Sequence, residues 1–433
     1  MSKPTLLINL SIAKESTTQN FVMPIGILSL ISYLISQGEH VDFIDLNVDK
    51  DVDKRLNEEP EIVGLSVMVA GQFNQAYEIC KKIKQRNTKT LTVMGGAHVS
   101  QFSKDIKKNC KEVDFVIEGE GENKLLNLIR NGLVNQAAYI KDLDNLPWPA
   151  YHLLNFKDYR RDYSTWNNPY NADLGIRVPI ITSRGCPKGC NFCSVKNHMG
   201  TKYRYMNSYN VVNLLQWLHE KYGVIYFAFY DANFSCKPNR IIEICNEIKR
   251  RGLKFYLDLP TGIPIDRFAI PLIEALVEVG LIRITLSVES GDSVIRNKVM
   301  KKHSNQNDIF AIIDAIHKYK HLYLLTDFII GMPEDTAGSL NNTCDLVSSL
   351  NVDDITISIA TPYPGTPLYD QCIKDNLFLP EINPQDFYKD EEYSHSNINR
   401  FTIKPYAMTR EELIFYRDKM LSLKERKLCT TKT

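Results

Sequence analysis

The chain has 433 residues, 44% of them hydrophobic and 24% charged, a composition that excludes a disordered chain and is long enough for two or more cored domains. Its 52 Lys and Arg nearly cancel its 51 Asp and Glu, which excludes the net field that gathers nucleic acid or an acidic membrane surface. The opening MSKPTLLINLSIAKE has no basic flank before a long apolar core, and no window reaches the ~18 apolar residues of a membrane span. A cytoplasmic setting with no membrane and no nucleic-acid partner is therefore expected. Ten scattered cysteines do not make a disulfide framework.

In chain order, TLLINL reads as a buried strand, PIGILSLISYLISQG as an apolar-faced helix closed by Gly38, and VDFIDL as a second strand. EIVGLSVMV and LTVMGG repeat the strand signal with QFNQAYEICKKIKQR as the helix between them, and DFVIEG with GENKLLNLIRNG adds one more pair. This alternation predicts a doubly wound, Rossmann-like parallel sheet over residues 1–138. The turns VMVAGQ, GGAHVS and EGEGEN follow strands at the edge where open α/β sheets bind ligands. A Pro-rich joint, LDNLPWPAYHLL, opens a linker over 139–175.

The alternation resumes with strands PIITS, IYFAFYD, KFYLDL, IRITLSVES, LYLLTDFIIG and DITISIA, separated by helices near 206–221, 237–251, 270–280, 293–318 and 336–350. Six strand-helix units predict a partial (β/α)6 barrel of the TIM type over 176–375, with its chemistry at the C-terminal mouth. A short C-terminal extension, 376–433, follows, and its end SLKERKLCTTKT reads as charged and frayed.

ITSRGCPKGCNFCSV places Cys186, Cys190 and Cys193 on the loop after the first barrel strand. Structural zinc normally takes four Cys or His ligands; no second CxxC pair is present, though His198 stands as a possible fourth donor. Three thiolates suit a cubane iron-sulfur cluster with one open iron better. Cys80, Cys110, Cys236, Cys245, Cys344, Cys372 and Cys429 fall mostly on predicted helices or ends and read as packing. Lys301 and Lys302, after the fourth barrel strand, read as a solvated helix face, with reach to a bound carboxylate or a substrate anion as the alternative.

The C-x3-C-x2-C triplet on a post-strand loop resembles the radical S-adenosylmethionine (SAM) superfamily. The resemblance implies a 4Fe–4S cluster on the three cysteines whose fourth iron binds SAM. It further implies SAM contacts from Phe192, from Asp231 and Asn233 in YDANF, from Ser287, Glu289 and Ser290 in SVESGD, and from the backbone of Ile329 to Gly331 in DFIIGMPEDT. Asp231 read alone is equally a helix cap. PYPGTPLYD, LDNLPWPAYHLL and the N-terminal run resemble the radical SAM branch with a cobalamin-binding domain, over roughly Pro4 to Cys372. That implies corrin contacts from Ser66, Gly95, Gly96, His98, Gly119, Glu120 and Gly121, although the glycines equally serve tight turns. The Asp-x-His-x-x-Gly motif of cobalamin mutases is absent, as is common in this branch.

By resemblance, reductive SAM cleavage yields a 5'-deoxyadenosyl radical, which takes hydrogen from an unactivated carbon of a small-molecule substrate; methylcobalamin then supplies a methyl group. A flavodoxin or ferredoxin would be the electron donor. The same core also serves non-methylating reactions such as ring contraction, cyclisation, dehydration or epimerisation, with or without cobalamin. Candidate lids are the segment with Tyr163, Trp166 and Tyr170, and FYKDEEYSHSNINRF.

Overall fold

The computed structural model describes residues 4–11, 23–134, 139–159, 174–263, 265 and 269–430; Tyr163, Trp166 and Tyr170 lie outside them. The chain divides into two compact units: Met1–Asp162 with Ser194–Tyr205 and Pro384–Ser394, and Tyr163–Cys193 with Met206–Asn383 and His395–Thr433.

In the first unit the strands Thr5–Asn9, Val41–Asp45, Ile62–Ser66, Leu91–Gly95 and Phe115–Ile117 form a parallel sheet. The first strand lies between the second and third, and the fourth and fifth follow outward. Thr5–Asn9 is buried throughout, the continuous apolar signature of a parallel strand covered on both faces. Helix Ile25–Ser36 buries Ile27, Leu28, Ile31 and Leu34, one stripe at helical spacing. Every ligand-edge turn expected from the sequence follows a strand, but GGAHVS is more than a turn, since it leads into helix Ala97–Asn109.

The second unit is a six-stranded parallel sheet whose neighbours follow chain order: Arg177–Ile180, Tyr226–Phe229, Tyr256–Ile263, Leu281–Glu289, Tyr323–Ile330 and Asp354–Ile359. All six expected strands are there. Register shifts fall between Leu259 and Ile263 and between Ser287 and Glu289, near the C-terminal ends of their strands. Such irregularities re-aim side chains beside functional sites. The C-terminal end differs from expectation: helix Arg410–Thr430 runs into the charged tail. Leu413, Tyr416 and Met420 are buried, and Lys424 and Lys427 donate to the carbonyls of Ile355 and Leu350 at 2.7 and 2.5 Å. Charge density alone hid the three apolar residues that seat this helix. Among the described residues no helix is long and apolar enough to cross a membrane.

An ionic knot ties four adjacent strands. Arg177 Nη2 lies 2.6 Å from Asp258 Oδ2, with both side chains out of water, and Arg177 Nη1 donates to Tyr230 at 2.7 Å. Tyr226 donates to the same Asp258 oxygen at 3.2 Å, and Arg283 lies 3.3 Å from it. Removing one member of such a pair strands a buried charge. Arg177→Met is therefore expected to lower the unfolding free energy by about 3 kcal/mol in urea denaturation. Arg177→Met combined with Asp258→Leu should cost less than the single change; a larger loss in the double variant would contradict this account of the knot.

Candidate functional site: a thiol loop at a barrel mouth

Where the first barrel strand ends, the chain is held by a carboxylate from the next strand. Asp231 is wholly buried; it accepts from Thr182 N at 3.2 Å, from Thr182 Oγ1 at 2.8 Å and from Ser183 Oγ. Burial pushes its pKa up, while Arg240 and these bonds hold it down. Asp231 thus positions the root of the cysteine loop, with its carboxylate turned to the protein.

Beyond that root the loop is pinned by its non-cysteine residues. Asn191 O accepts from Leu368 N at 3.1 Å, and Phe192 packs on a cluster containing Ile295, Met300, Met332 and Leu368. Ile329 packs against the same cluster, so two residues expected to contact SAM share one apolar surface. The thiols of Cys186, Cys190 and Cys193 remain partly exposed, and Asn233 Nδ2 donates to Cys186 Sγ at 3.6 Å. Burial raises the Cys190 pKa, against the pull of the Lys302 ammonium. Among the described residues no three His, Cys, Asp or Glu side chains converge as for a single ion.

Lys302 corrects the solvated reading. Its Nζ lies 2.8 Å from Glu289 Oε1, with side chains only 14% and 9% exposed. Burial works against the ammonium, and Glu289 with Cys190 and Cys193 outweighs it, so the pKa is raised. The backbone strains to hold this pair: Glu289, Lys301 and His303 have φ of 70°, 60° and 57°, left-handed conformations that cost about 1–3 kcal/mol each and cluster at functional sites. Ser290 faces away, with its Oγ 3.3 Å from Thr343 Oγ1 and its carbonyl accepting from Arg296 at 2.6 Å. Gly331 N donates to Asp335 at 3.0 Å. Ser287 lies where a Cβ on Gly262 would come within 2.2 Å of its Oγ and 3.7 Å of Asp327 Oδ2.

Two buried acceptors, Asn191 Oδ1 and Asn233 Oδ1, have no hydrogen-bond partner in the protein. Such atoms call for a donor from outside the chain. Three thiols, two free carbonyl oxygens and a buried ammonium fit a cluster together with a ligand that carries both an amino and a carboxylate group.

In the first unit, the sheet edge after Ile62–Ser66 presents Met68 and Val69 at 49% and 47% exposure. Their amides donate to Gln72 Oε1 at 2.8 and 3.3 Å, while Gln72 Nε2 donates to Leu10 O at 2.9 Å. A fixed apolar pair at the ligand edge suits the face of a flat macrocycle such as a corrin. Ser66 ends the strand at this edge. Gly96 has φ 109°, and a Cβ there would meet Val67 O at 2.4 Å, so the turn itself demands glycine. A Cβ on Gly95 would only touch Ile117, on Gly121 only Leu30, and on Gly119 Tyr139 at 3.3 Å. Glu120 is spent inside the unit, accepting from Arg204 and Ile140 N at 2.7 Å each. His98 is no loop ligand: it is buried beside Phe73 and Phe102, 2.8 Å from Tyr388 O, and burial lowers its pKa to about 4. Tyr388 belongs to the second candidate lid, whose Phe387, Tyr388 and Tyr393 are buried.

The B12 binding domain model matches residues 16–129, and the Radical SAM superfamily model matches 180–347. An uncharacterized methyltransferase of Pyrococcus horikoshii is 29% identical over 82% of this chain and 80% of its own. The anaerobic magnesium-protoporphyrin IX monomethyl ester cyclase of Cereibacter sphaeroides is 25% identical over 86% of this chain and 62% of its own. The radical SAM methyltransferase TsrM of Kitasatospora setae, solved with tryptophan substrate and a SAM analogue, shares the fold at TM-score 0.71 and 16% identity, over 98% of this chain and 89% of that one.

Sequence reasoning missed Asp327 and undervalued Lys302, while Met68 and Val69 lie in the turn VMVAGQ already expected at the ligand edge. Asp327 had a signal, a carboxylate inside the otherwise apolar strand LYLLTDFIIG. Burial first, then Glu289, raises its pKa to about 7. Because the folded value lies above the unfolded one, its contribution to stability is complete below about pH 4 and is lost as pH rises to about 7. Asp327→Asn should therefore be more stable than wild type above pH 7, with the difference fading towards pH 4, as read by thermal melts across that range. A difference independent of pH would contradict the assignment.

Proposed function

The chain belongs to the radical SAM superfamily and carries a B12-binding domain, its cofactors being a 4Fe–4S cluster, SAM and cobalamin, and from that premise we propose that it is a cobalamin-dependent C-methyltransferase acting on a small molecule. The observation that carries the reading is the thiol loop with the Glu289–Lys302 pair and the two unpartnered Asn oxygens beside it. Residues 1–138 serve as the cobalamin domain, 139–175 as linker, 176–375 as the radical SAM barrel and 376–433 as an extension.

Cys186, Cys190 and Cys193 hold the cluster. Asn233 orients the Cys186 thiolate through Nδ2 and offers Oδ1, with Asn191 Oδ1, to the amino group of SAM. Lys302 meets its carboxylate. Phe192 and Ile329 supply the apolar surface for adenine, and Gly331 the turn beside it. Ser287 and Glu289 reach the ribose side, whereas Asp231 and Ser290 act by holding backbone. Met68 and Val69 take the corrin face with Ser66, Gly95, Gly96 and Gly121, while Gly119 and Glu120 shape the turn and His98 keeps the edge rigid from inside. When bound, these groups supply a 5'-deoxyadenosyl radical for hydrogen abstraction and a methyl group for the substrate carbon. The residues' own work is to position and to exclude water from a reactive centre. A low-potential flavodoxin or ferredoxin supplies the electron, in the cytoplasm.

The Pyrococcus relative's name, a methyltransferase, supports methyl transfer; the Cereibacter relative's name, a cyclase, favours ring formation as the second reading. The two separate without knowledge of the substrate. Anaerobically reconstituted protein, supplied with reduced cobalamin and SAM labelled in its methyl carbon, should pass label to the corrin. An unlabelled corrin alongside 5'-deoxyadenosine would favour the second reading.

A further inference from the structure

The segment that follows strand Leu281–Glu289 returns to the cysteine loop. Ile295 and Met300 share an apolar cluster with Phe192, the residue just before Cys193. Directly after Met300, the chain turns through Lys301 and His303 in left-handed backbone conformations on either side of Lys302. These two strained residues place one ammonium 2.8 Å from Glu289 Oε1, two residues past the Met300 whose cluster packs Phe192, the residue between Cys190 and Cys193 on the cysteine loop. A surface lysine needs no such backbone. Holding SAM is one use of the charge, but a cation fixed beside thiolates acts on their cluster whether or not SAM is present.

We infer that Lys302 is a positioning charge for electron entry: held by Glu289 beside Cys190 and Cys193, it raises the reduction potential of the cluster carried by the three cysteines. The inference rests on the cluster reading above. One-electron reduction makes the cluster and its thiolates more negative, and a nearby fixed cation stabilises the more negative state most strongly where water is excluded. Glu289 opposes this in part and fixes where the cation sits. The electron itself comes from a low-potential one-electron carrier.

The test is a redox titration of the full-length reconstituted protein without SAM, followed by the electron paramagnetic resonance of the reduced cluster, with iron and sulfide counted in each variant. Lys302→Met should shift the midpoint to more negative potential, Lys302→Arg should stay near wild type, and Glu289→Gln should shift it to more positive potential. A Lys302→Met protein with full iron content, unchanged midpoint and weakened SAM binding would make Lys302 a SAM anchor only and overturn the inference. If Lys302→Met assembles no cluster, the Glu289→Gln arm decides, and an unchanged midpoint there overturns it. Wild-type protein that assembles no cluster at all would instead overturn the cluster reading on which the inference stands.

Discussion

Asp231 is a carboxylate with no access to water, and the placement of the whole barrel mouth starts from it. Its oxygens accept from the backbone of Thr182 and from the hydroxyls of Thr182 and Ser183, bonds worth about 0.5–1.5 kcal/mol each. Left unmade, they would leave buried polar groups without partners. The end of one strand is thereby tied to the end of the next, and the cysteine loop leaves from that knot in one direction only. Everything further along, from the Phe192 anchor to the Asn233 contact with Cys186, presupposes that fixed departure.

The second constraint is the Glu289–Lys302 pair. Buried ion pairs seldom add stability, because desolvation offsets their attraction. This pair also costs three left-handed residues. A fold that accepts both costs within reach of its thiols is organised around charge at that point, which is how an active site differs from a packed core. Asp327 adds a carboxyl whose ionisation is held back by the same surroundings.

Much of this was legible in the sequence, because parallel strands buried on both faces read as apolar runs and the cysteine spacing is dense. Thr5–Asn9 and Tyr226–Phe229 are such runs, buried throughout, and Cys186, Cys190 and Cys193 stand where the strand reading places them. What stayed hidden depends on where side chains meet. Lys302 reads as solvent-facing until Met300 is seen packed on the Phe192 cluster. His98 lies just past Gly95 and Gly96 and reads as a corrin contact, yet Tyr388, 290 residues away in sequence, takes its ring nitrogen. The helix Arg410–Thr430 carries too many charges to show a core stripe, and its lysines find carbonyl partners only in three dimensions. Asp231 was recognised as important; its task, holding backbone, needed the geometry of Thr182.

The central claim is that three thiols of one loop hold a cube with one corner open to SAM. Mössbauer spectroscopy of iron-enriched protein, with and without SAM, tests it most directly. The account predicts a 4Fe–4S signal in which about one iron in four changes environment when SAM is added. Iron that responds uniformly or not at all, or a tetrahedral zinc in place of iron, would contradict it.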